Sequence, residues 1–142
     1  MMTDKLCGYE EYAARYNRHL QSGQLGCCGE DLYLMAAVLR QEGARRDELK
    51  ALMLSFFFDM SGTGSGPAVN RNTARRAKEA VDAESIGTHE MEELYLDTIR
   101  KDTVPAPIMS VRDSLYIFEM CLDGRYDEAE EILGRFAKDA RK

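Results

Sequence analysis

The stretch Leu49–Met60 constrains the fold of this chain most. Leu49, Leu52, Met53, Phe56 and Met60 recur at steps of three and four, which is one face of an α-helix. Phe57 and Phe58 widen the stripe beyond that face. A β-strand over Met53–Phe58 is the competing reading, but the helical stripe running unbroken from Leu49 argues against it. No segment shows sustained two-residue alternation, so the expected fold class is all-α: a compact, irregular bundle or short array of about six to seven antiparallel helices.

The helices are expected at about Thr3–Ser22, Glu30–Glu42, Arg46–Met60, Asn72–Ser85, Thr88–Lys101, Ser110–Asp123 and Tyr126–Arg141. The second reads as the buried central helix, because Leu32–Leu39 is apolar almost all round. Gly23, Gly43, Gly87 and Gly124 fall where helices should stop. Ser110, with Asp113 three residues on, reads as an N-cap. Two connectors interrupt the pattern, a Gly-rich loop expected to be flexible at 61–68 and a Pro-containing segment at 102–109. The 142 residues, 44% of them hydrophobic, suit a single domain, 1–142, able to bury roughly 68% of its unfolded surface.

Composition excludes several classes. No apolar run approaches a membrane span, and Met1–Cys7 lacks the apolar core of a secretory signal, so a cytoplasmic protein is expected. The net charge of −6 disfavours general nucleic-acid binding, because phosphate neutralisation supplies most of that affinity. The charge is uneven, however. Arg71, Arg75, Arg76 and Lys78 form a short basic stretch, a candidate nucleic-acid or anion contact. Glu90, Glu92, Glu93 and Asp97 follow within an acidic stretch and could imitate phosphate spacing.

The hairpin from Arg112 to Arg141 carries Gly124-Arg125-Tyr126-Asp127-Glu128-Ala129, then Ile132, Leu133 and Phe136. These residues resemble a single tetratricopeptide repeat. The resemblance implies a tight turn at Gly124, close helix packing at Ala129, and a protein-interaction role with no catalytic residues. Ile117 stands where that family usually has Gly or Ala, and Asp113 where an aromatic is common.

Cys7, Cys27, Cys28 and Cys121 contain no CxxC spacing, and inert cytosolic thiols are expected, with Cys7 and Cys121 on helices. A thiol or metal site using Cys27 or Cys28 stays open, with His19 as a base. His19 otherwise reads as a surface residue beside Arg18, and His89 as part of a solvated helix start. Tyr9, Tyr12 and Tyr16 form a stripe that is either a core edge or an interaction surface, and Tyr126 joins them as a protein-binding candidate. Met35, Met53, Met60, Met91 and Met120 read as core.

The reading that results is a small protein-interaction module, an adaptor or regulatory subunit. It has no catalytic, metal-binding or cofactor-binding residues, and its partner is another protein or its own copy (a homodimer). Neither direct nucleic-acid contact nor membrane association is expected. The alternative is an acidic regulator of a nucleic-acid-processing protein, or weak nucleic-acid contact through 71–78. A thiol or metal site at Cys27/Cys28 is the third.

Overall fold

The computed structural model describes residues 7–61, 66–101 and 109–140. Residues 1–6, 62–65 and 102–108, which carry the expected start of the first helix, half of the Gly-rich connector and most of the Pro-containing one, lie outside the described residues, as do Arg141 and Lys142. Among the described residues the chain forms seven α-helices and no strand: α1 (Tyr9–Gln21), α2 (Cys28–Gln41), α3 (Arg45–Met60), α4 (Arg71–Ala83), α5 (Thr88–Lys101), α6 (Val111–Leu122) and α7 (Tyr126–Ala140). A 3-10 turn at Leu25–Cys27 precedes α2, which starts two residues before the expected Glu30. Cys7 precedes α1 rather than lying on it.

The central helix is α3, not α2. Leu49 and every residue from Ala51 to Phe58 are buried, and α2, α4, α5 and α6 all pack against α3. By contrast Tyr33, Leu34, Ala37 and Leu39 of α2 are only partly buried, because α1 and α3 flank that helix and leave a side open. An aromatic chain ties three helices together. Phe56 of α3 meets Phe118 of α6 edge-on at 5.2 Å between centroids, and Phe118 stacks on Tyr95 of α5 at 5.1 Å. The Tyr95 hydroxyl donates to Ser114 Oγ at 2.9 Å, which satisfies the polar end of that buried ring. All five methionines expected in the core are buried. The α4 helix buries a thin face of Ala74, Ala77 and Val81, the small alanines letting α3 approach closely.

The helix ends show how the sequence sets its own turns. Asn70 and Ser110 cap α4 and α6, accepting from the N–H groups of Thr73 and Asp113, each at 3.1 Å. At the end of α6, Gly124 takes φ +80°; its N–H donates to Cys121 O, and the next N–H, of Arg125, donates to Met120 O. The same pair of bonds closes α4, but the left-handed residue there is Ser85 (φ +50°) and not the expected Gly87. A side chain in that conformation costs roughly 1–2 kcal/mol.

Candidate functional site

The α1–α2–α3 layer contains a cleft of about 460 Å³. Each helix gives it one stripe at helical spacing. Leu32, Met35 and Leu39 of α2 make the floor. Tyr9, Ala13, Tyr16 and Asn17 of α1 make one wall, and Asp47, Lys50, Ala51 and Leu54 of α3 the other. Steps of three, four and seven mean that these side chains lie one above another along each helix. Seven residues of helix span about 10 Å, so the trough is about two turns long. Its floor is apolar and its rim polar. Asn17 and Asp47 are exposed there, and Lys50 Nζ lies 3.9 Å from Asp47 Oδ1.

The four tyrosines singled out in the sequence have different environments. Tyr9 is 37% exposed at the mouth of the trough, and Tyr16 lines it while its ring meets Phe58 edge-on at 6.1 Å. Tyr12 points inward instead. It is buried, its hydroxyl accepts from the Cys7 N–H at 3.1 Å, and the Arg15 guanidinium lies 5.5 Å from its ring centroid. Tyr126 is half-buried beneath Arg71, whose guanidinium sits 5.1 Å above the ring.

Most of the basic stretch faces acids of the same chain. Arg71 donates to Asp127 at 3.0 Å and to Glu130 at 2.7 Å, and these two carboxylates hold its proton more tightly than usual. Lys78 pairs with Asp82 at 3.2 Å. Arg76 is half-buried near Glu48, and Arg75 is exposed. The acidic set does not form one face either. Glu90 pairs with Arg46 of α3 at 2.8 Å, Glu93 pairs with His89 at 3.0 Å, and Asp97 shares their side of α5. Glu92 turns toward α6, where it hydrogen-bonds Glu119; burial first, then that bond and the Glu92 charge, push Glu119 up to about 7.

The cysteine and histidine candidates separate as well. Burial, then Asp31 and Cys27, push the Cys28 thiol up to about 11, so it holds its proton at neutral pH. Burial pushes Cys121 up to about 12. His19 is not a free surface residue. Its Nδ1 lies 2.5 Å from Oδ2 of Asp31, a carboxylate only 1% exposed, and Arg15 approaches the other oxygen at 3.4 Å. Among the described residues no group of three His, Cys, Asp or Glu side chains is placed to hold a metal ion, and no helix is long and apolar enough to cross a membrane.

Of the trough lining, sequence reasoning singled out only Tyr9 and Tyr16 of α1, and none of the residues from α2 and α3 as a surface. The signal at 47, 50, 51 and 54 was present as helical spacing, but two of those positions are charged and two look like core.

No family model, no curated protein and no solved structure matches the chain.

Proposed function

We propose that the protein is a helical interaction module whose α1–α2–α3 trough takes an amphipathic α-helix of a partner protein. The observation that carries this reading is the convergence of three helical stripes on one apolar floor with a polar rim. A helix docked in such a groove presents anchors at i, i+3 or i+4, and i+7, the same period as the walls. The partner is a different protein rather than a second copy of this chain. Tyr9 and Tyr116 are the large hydrophobic residues exposed among the described ones, and Tyr9 belongs to the trough itself. The chain's described helices therefore have no spare apolar stripe to fill it. Charged and aromatic residues outside the trough support the same reading, since most are engaged within the chain.

Selection of 16-residue peptides from a displayed random library tests this. Enriched peptides are expected to carry apolar residues at i, i+3 or i+4, and i+7, and to lose at least about tenfold in affinity against Leu39→Asp or Ala13→Arg. No enrichment, or peptides that bind those variants as well as the parent, would overturn it.

A further inference from the structure

A second, polar cleft lies at the other side of α2, where the first turn of that helix, the end of α3 and the start of α4 meet. It comprises two adjoining hollows of about 460 and about 250 Å³ that share Gly26, Asp59 and Asn70 as walls. Asp59 is its chemical centre. The Asn70 amide donates to Asp59 Oδ2 at 3.0 Å while its own oxygen caps α4, so Asn70 is fixed from both ends. Asp59 Oδ1 reaches so close to α2 that a Cβ on Gly29 would lie 2.6 Å from it; only glycine leaves the carboxylate this position.

Among the described residues no cationic side chain pairs with Asp59. Burial raises its proton affinity, and the opposing influence is the neutral Asn70 amide. Arg71 borders the same cleft, but Asp127, Glu130 and the Tyr126 ring hold its guanidinium. A partly buried carboxylate is ordinarily matched by a cation. The same hollow is lined by Glu30, a second carboxylate, by the ring of Tyr33, and by Asn72, whose amide donates to the Tyr33 hydroxyl at 2.7 Å. Two carboxylates and an aromatic ring are the groups that recognise an organic ammonium. With only those two carboxylates present, a metal ion would be short of ligands.

We infer that this cleft binds a small organic cation bearing a primary ammonium group, with Asp59 as its counter-ion and Glu30 and Tyr33 completing the pocket. The site is separate from the trough and does not depend on its occupant. Free diamines and a lysine side chain of another protein carry the same group.

The test is titration of the full chain with 1,4-diaminobutane, followed by amide chemical shifts at constant ionic strength. Nα-acetyl-lysine methylamide and magnesium chloride serve as parallel probes. Saturable shifts centred on Gly26, Gly29, Asn70 and Asn72 are expected. Asp59→Asn, which keeps an acceptor for Asn70, should weaken binding about tenfold or more. Glu30→Gln should weaken it less, and provides the reading if Asp59→Asn does not fold. Tighter binding of the diamine points to a free amine as the source, and tighter binding of the lysine derivative to a protein. Either supports the inference. Shifts spread over the acidic face of α5, equal binding by Asp59→Asn and Glu30→Gln, or the same shifts from magnesium at lower concentration would overturn it.

Discussion

The two ends of the molecule use the same kinds of residue in opposite ways. At the α1–α2–α3 end, tyrosines border an open trough, and Lys50 and Asp47 sit at its rim. At the α4–α6–α7 end, Tyr126 lies under Arg71, and Asp127 and Glu130 clasp that arginine. The difference comes from coverage. The α4 helix packs on α6, and α7 lies against α6, so that an arginine from α4 can reach across to α7. No described helix lies over the partly exposed side of α2, where Leu39 and Ala13 stay accessible beside the buried Leu32 and Met35. An aromatic or charged residue acquires its role from what covers it.

The largest effect expected is in the shared core. Phe118→Ala should cost about 3–5 kcal/mol in denaturant unfolding, because Phe118 joins the α3 and α5 rings and the void cannot collapse between them. Such a loss would show that apolar packing on α3 and α5 holds α6, the helix on which the α4–α6–α7 end is built. A cost below about 1 kcal/mol would break that half of the comparison.

Leu39→Asp comes next, and it separates binding from folding. Loss of the docked helix should exceed about tenfold, roughly 1.4 kcal/mol, while unfolding midpoints move little because Leu39 is only partly buried. Ser85→Gly should stabilise the fold by about 1 kcal/mol by relieving the left-handed serine, with partner binding unchanged, since α4 is remote from the trough lining.

The α5–α6 seam should respond to pH. Glu119 holds its proton up to about 7 in the folded chain, whereas an unfolded glutamate releases it near its ordinary value of 4.5. The folded state therefore binds more protons between those values, and stability should fall as pH rises through that window and level off above it. Glu119→Gln should flatten this dependence in urea titrations. The smallest effect is assigned to Arg71→Gln. Its ion pairs are solvent-exposed, so any destabilisation should be slight and should disappear at 1 M salt.

The helices were legible in the sequence because period and end signals are local. α5 runs from Thr88 to Lys101 as expected, and Ser110 and Gly124 do at α6 what their residue types imply. Helix order in space was less legible. The apolar run Leu32–Leu39 looks more central than α3, which contains Glu48 and Asp59, yet α3 is the one surrounded. Ser85 was invisible as a stop because a serine does not announce a left-handed backbone. Tyr9, Tyr12 and Tyr16 share a spacing, and only the position of α2 and α3 turns two toward the trough and one inward. Asp59 and Asn70 were unremarked for the same reason, since their cleft exists only once α2, α3 and α4 have met.

The most direct measurement is site-specific photocrosslinking, with benzoylphenylalanine at Ala13 in the trough and, separately, at Asp127 on the closed end, in lysate of the source organism. The expected result is crosslinking from Ala13 to an amphipathic helical segment of one partner, abolished by Leu39→Asp, with no such product from Asp127. Crosslinks only between copies of this chain, equal yields from both positions, or products insensitive to Leu39→Asp would contradict the proposal that the trough is the binding surface.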